Sequence, residues 1–159
     1  MLVYPHTSNW DFMVGIFFRY GYALRAHWLA KHSAFWWPLG VLLRHMGGMA
    51  IDRRKAGGTI NSIAEEFKRR DWLWLAITPE GTRSRTEFWK SGFYRIALAA
   101  DVPCALACID YKTKTISVDT YVRFSGDTEA DLALIRRFYE GKQALHPEKA
   151  GDIRFKSEQ

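Results

Sequence analysis

Residues 72–77 read Trp-Leu-Trp-Leu-Ala-Ile, six apolar residues in succession, and the run closes on Thr78-Pro79. A half-buried strand alternates apolar with polar residues, and an amphipathic helix repeats every three to four. An unbroken run this short, stopped by a turn signal, fits a strand covered on both faces. A strand of that kind needs a further layer on each side of its sheet, which points to helices packed over a central sheet.

The rest of the chain supplies those layers. Residues 2–4 read as a short strand, and residues 5–9 as a turn in which Ser8 or Asn9 caps a helix over 10–22. Residues 26–31 and 49–51 read as strands. Between them, 34–46 reads as a largely apolar helix broken at Pro38 and stopped by Gly47-Gly48. Over 59–70, Ile60, Ile63, Ala64 and Phe67 share one helical face, with Lys68, Arg69 and Arg70 in the last turn, where cations suit the helix dipole. A helix over 92–100 follows, then strands over 102–109 and 115–122 joined by Lys112-Thr113-Lys114, and a helix capped by Asp127 that runs to about residue 140. The alternation predicts one α/β domain, a sandwich with a central, mostly parallel, mixed sheet flanked by helices, antiparallel only at the late hairpin. At 159 residues one core is expected. Residues 1–142 form the domain and residues 143–159 are expected to be a polar, mobile tail. Cys104 and Cys108 fall on one strand about 13 Å apart, beyond disulfide reach, and read as reduced core residues.

Charge and aromatic content narrow the partners. The net charge of +6 suggests an anionic partner. Most of the excess is N-terminal, since residues 1–60 carry seven Lys/Arg against Asp11 and Asp52. The same segment holds 11 of the 24 aromatic residues, a pairing that suits a membrane interface and equally a single-stranded nucleic-acid platform. The uncharged stretches at 12–18 and 33–43 are too short to span a bilayer, and no signal-peptide pattern opens the chain, so the cytoplasm is the expected compartment.

In a mostly parallel sheet, sites gather at the carboxyl ends of strands, where residues 5–11 and 79–85 both fall. The first loop reads His6-Thr7-Ser8-Asn9-Trp10-Asp11. A carboxylate folded back across a strand-to-helix turn can bond one imidazole nitrogen and make the other a general base, although Asp11 is equally placed to cap the helix. The second loop reads Thr78-Pro79-Glu80-Gly81-Thr82-Arg83-Ser84. Gly81 permits a tight turn, Arg83 offers a planar fork for phosphate, and Glu80 and Thr82 add an acceptor and a hydroxyl.

In this order the motifs resemble the lysophospholipid acyltransferase family, whose best-known members are the 1-acylglycerol-3-phosphate O-acyltransferases. The resemblance rests on the H-x4-D pair His6 and Asp11, on Gly48-Met49-Ala50-Ile51-Asp52-Arg53, on Glu80-Gly81-Thr82-Arg83 and on Val102-Pro103, with Lys90-Ser91-Gly92 similar to a K-x-G element. It covers residue 6 to about residue 110. Many members carry hydrophobic anchoring helices before the H-x4-D strand, whereas this sequence starts five residues ahead of His6, either as a fragment or as a shorter branch that docks by its surface.

The resemblance implies a glycerolipid acyltransferase-like fold and acyl transfer from acyl-CoA or acyl carrier protein to a lysophospholipid hydroxyl, with no further cofactor, no metal and no nucleic acid. His6 would deprotonate the acceptor and Asp11 would orient the ring. Arg53 and Arg83 would hold the acceptor phosphate, with Lys90 beside them, while Glu80, Gly81 and Thr82 would shape the glycerol site. Phe35-Trp36-Trp37, flanked by Lys31 and Arg44, would meet an anionic membrane peripherally at its inner, cytoplasmic face. The competing expectation is a non-catalytic membrane or acyl-lipid binding module on the same scaffold.

Overall fold

The structure, a computed structural model, describes residues 1–51, 56–82 and 84–156. In chain order the elements are β1 (Leu2–Val3), α1 (Asn9–Gly21), β2 (Ala26–Lys31), α2 (Leu39–His45), β3 (Gly48–Ile51), α3 (Ala56–Arg69), β4 (Trp74–Ile77), β5 (Phe88–Trp89), α4 (Gly92–Ala100), β6 (Cys104–Asp110), β7 (Thr115–Val122), α5 (Thr128–Tyr139) and β8 (Asp152–Phe155). Six strands form one sheet in the order β3-β2-β4-β1-β6-β7. Every neighbouring pair is parallel except the β6-β7 hairpin, so the predicted mixed sheet is present.

The two faces of this sheet are filled unequally. On one, Val3, Leu75 and Leu106 pack with Ile63 of α3, Phe93 and Ile96 of α4, and Leu132 and Ile135 of α5. On the other, Leu2, Ala105 and Ala107 form a small cluster with Tyr4, Trp74, Ala76 and Val118. There α1 lies across the sheet with Phe12 edge-on to Trp28 at 4.9 Å. An apolar cavity remains between helix and sheet, lined among others by Leu2, Tyr4, Phe12, Ile16, Cys108 and Val118. The small alanines of β4 and β6 leave that space open, whereas large side chains close the opposite face.

Several expectations are corrected. The segment expected as a helix over 34–46 with a break at Pro38 is helical after that proline, as α2, while before it only a single 3-10 turn forms, His32–Ala34. Pro38 explains this, because its ring disfavours helical backbone at the preceding residue and supplies no N–H. On α1, Tyr20 is exposed, whereas Phe12, Ile16 and Arg19 take the inward face. Residues 143–156, expected to be a mobile tail, fold back on the domain. There β8 pairs in parallel with β5, Ile153 and Phe155 pack on the core, and the His146 N–H donates to Thr7 Oγ1 at 3.1 Å. Alternate apolar side chains at 153 and 155 cover the core beside α4 and α5 and give an otherwise polar segment an inner face.

Candidate active site

β1 has only two residues, yet it sits at the centre of the sheet with β4 on one side and β6 on the other. Val3 is in register with Ile77 on β4, and the Tyr4 N–H extends the pairing by donating to Ile77 O at 3.2 Å. His6 and Glu80 each lie three residues beyond that pair, so parallel pairing delivers both to the same sheet edge. The His6 backbone N–H donates to Glu80 Oε2 at 2.9 Å, which ties the first loop to the second. The same oxygen is 3.6 Å from His6 Nδ1, too long for a hydrogen bond but within ion-pair reach.

The loop after β1 is held by Asp11. Its Oδ2 accepts the N–H groups of Thr7 at 2.7 Å and Ser8 at 2.9 Å, and its Oδ1 accepts the Tyr111 hydroxyl at 2.6 Å. Ser8 Oγ accepts the Trp10 N–H and completes a capping box at the start of α1. Burial, then the bond to Asp11, pushes the Tyr111 phenol well above its ordinary range. The expected bond between Asp11 and the imidazole is absent among the described residues: the donors that fill the carboxylate are two backbone amides and a phenol. Asp11 is therefore the helix cap and loop brace that its position allowed.

Glu80, expected on the acceptor's glycerol, is 1% exposed and lies under the His6 loop. Gly81 follows with φ +63°, a left-handed backbone that a side chain would strain, and its N–H closes the turn onto Thr78 O at 3.1 Å. A Cβ at Gly81 would meet Lys90 Nζ at 3.0 Å, so Lys90 folds over this loop, and its backbone N–H donates to Pro79 O at 2.9 Å. Thr82 Oγ1 accepts the Ser84 N–H. The structure thus brings together His6, Asp11, Glu80, Gly81, Thr82 and Lys90, while Arg53 and Arg83 lie outside the described residues. Sequence reasoning missed Tyr111, which follows β6 directly. A tyrosine just beyond an apolar strand next to β1 was the available signal.

Beside this edge lies the apolar cavity. Tyr4 lines it, and the Tyr4 and His6 rings meet edge-on with centroids 6.2 Å apart. Through Tyr4 the His6 imidazole thus neighbours a largely apolar cavity, an arrangement that suits a ligand with an apolar chain and a polar end.

The acyltransferase family model matches residues 1–109, from β1 almost to the end of β6, a span that contains every site residue expected from the sequence. The 1-acyl-sn-glycerol-3-phosphate acyltransferase of Escherichia coli (strain K12) is 36% identical over 99 residues, which cover 57% of this chain and 40% of that protein. The match therefore covers less than half the length of that relative. No solved structure gives a significant match.

Proposed function

The chain belongs to the acyltransferase family, and from that premise we propose that it transfers a fatty acyl group from a thioester, acyl-CoA or acyl carrier protein, to the hydroxyl of a lysophospholipid such as 1-acylglycerol-3-phosphate. The observation that carries this reading is the ring contact between His6 and Tyr4, a residue that lines the apolar cavity between α1 and the sheet. The acyl chain occupies the cavity and its carbonyl reaches His6. Nε2 takes the acceptor's hydroxyl proton as the oxygen attacks the thioester carbonyl carbon. The tetrahedral intermediate then expels the thiolate, which receives the proton back from the imidazolium. The oxygen–carbon bond forms, the carbon–sulfur bond breaks, and no acyl-enzyme intervenes.

Asp11 contributes by fixing the loop on which His6 rides. Lys90, folded over Gly81, supplies a cation beside the acceptor, and Arg53 and Arg83 complete the phosphate site. The decisive experiment is thioester turnover with an added lysolipid, read as thiol release and product mass. His6→Ala is expected to abolish transfer with the fold intact, and near wild-type turnover in that variant refutes the mechanism.

Membrane contact belongs to the same reading. No helix among the described residues is long and apolar enough to cross a bilayer. Instead, Trp10, Met13, Phe17 and Tyr20 form an exposed stripe along α1, and Trp36, Trp37, Val41 and Leu42 are exposed around α2. The exposed cations Arg25, Lys31 and Arg44 flank them. Aromatic rings edged by cations suit peripheral binding to an anionic cytoplasmic leaflet, which would present the acceptor to the site.

A further inference from the structure

Two carboxylates approach the His6 loop, and they differ in what they leave unsatisfied. Asp11 is occupied by two backbone amides and a phenol. Glu80 is equally buried, yet its Oε1 has no hydrogen-bond partner, and neither has the buried Nδ1 of His6. An unsatisfied imidazole nitrogen facing a buried carboxylate is unfavourable in a low-dielectric interior unless the two groups pair. Glu80 Oε2 already holds the His6 backbone and lies 3.6 Å from Nδ1. A modest rotation of the ring closes that gap, and such contacts are often long in unliganded sites and tighten in the reacting complex.

Resting on the reading of His6 as the base, we infer that Glu80 is the carboxylate that positions and charges the His6 imidazole, and that Asp11 acts only through the loop. With Nδ1–H directed at Glu80, the lone pair of Nε2 is left for the acceptor hydroxyl. When Nε2 takes the proton, the ring becomes a cation beside a buried anion, so the attraction grows as the transition state forms and is weak before it. Glu80 is thus a positioning residue that raises turnover, and it does not contact the acceptor's glycerol.

Glu80→Gln isolates this role, because the amide oxygen still accepts the His6 backbone N–H while the charge is lost. The variant is expected to lose about a hundredfold in kcat with the KM for acceptor unchanged, and Glu80→Asp to recover part of that loss. The 15N spectrum of the wild-type imidazole is expected to show the Nδ1–H tautomer, depleted in Glu80→Gln and retained in Asp11→Asn. A raised acceptor KM with kcat intact overturns the inference, as does an unchanged tautomer in Glu80→Gln or a tautomer that changes only in Asp11→Asn. Should Glu80→Gln fail to fold, the wild-type spectrum decides, since an Nε2–H tautomer refutes the assignment. These spectra need no substrate, so a chain inert towards every lysolipid would still report on Glu80, and the two readings fail separately.

Discussion

Replacing Tyr111 with Phe removes one oxygen atom and tests whether Asp11 braces the loop that carries His6. Asp11 is 3% exposed and accepts the Tyr111 hydroxyl at 2.6 Å, in addition to the N–H groups of Thr7 and Ser8. A hydrogen bond to a buried charged group contributes about 1.5–3 kcal/mol. Two donors remain after the substitution, so the lower part of that range applies, about 2 kcal/mol, or roughly a thirtyfold rise in the unfolding constant. Urea denaturation should show a lower midpoint with an unchanged slope. Alkaline pH supplies a second reading. Burial and the bond to Asp11 raise the Tyr111 phenol in the folded state, so its stabilisation is complete below the ordinary tyrosine value near 10 and is lost as pH climbs towards the folded value. Phe cannot ionise, so the gap between wild type and variant should narrow above about pH 10. An unchanged urea midpoint, or a gap that widens with pH, refutes the brace.

Other consequences follow from the same structure. Asp131 is buried and accepts from the Tyr94 hydroxyl, Ser125 N–H, Ser125 Oγ–H and Gly126 N–H, so Asp131→Ala should lose about 3 kcal/mol or more in denaturant unfolding. Burial opposes its charge, but these bonds prevail and hold its carboxyl below the ordinary range, so wild-type stability should fall as pH drops below about 4, and the Ala variant should lack that component. Burial pushes the Cys104 thiol up to about 12 and Cys108 up to about 11, so a thiol reagent at pH 8 should label neither until the chain is unfolded. Replacing Trp10, Phe17 and Trp37 together by Ser should abolish co-flotation with anionic vesicles while leaving thermal unfolding unchanged. Wild-type flotation by the triple variant would refute the aromatic contact.

Elements bounded by turn chemistry were legible in the sequence. The strands at 26–31 and 115–122 and the helix at 92–100 have the expected limits, because glycines, prolines and polar turns close them. β5 and β8 were not. Each is short, and they pair across more than sixty residues, a relation that no local pattern announces. The loops bearing His6 and Glu80 were readable because a run such as 72–77 admits few neighbours. What Glu80 touches was not readable, because it depends on Val3 standing opposite Ile77. Asp11 illustrates the same limit: capping and pairing with the imidazole both fit its spacing, and only the packing of Tyr111 against it separates them.

The unequal faces of the sheet connect this local chemistry to the whole domain. Leu75, Leu106, Phe93 and Ile135 close one face, so the central strands β4, β1 and β6 are clamped from behind and the loops after them keep their spacing. On the opposite face, Ala76 and Ala107 leave room beneath α1, and Leu2 and Tyr4 at the β1 strand line the resulting cavity. A tight face and an open face meet at the edge that carries His6. Tyr139 joins them from behind, its buried hydroxyl proton shared between Val3 O at 3.1 Å and Ala107 O at 2.8 Å, so the strand that delivers His6 is held at its last residue. The tight face thus sets the position of the imidazole, and the open face leaves the cavity that the proposed function assigns to an acyl chain. On the proposed acyl-transfer reading, changes in α1 should accordingly alter the preferred acyl chain in a donor panel, while changes under β1 should alter turnover.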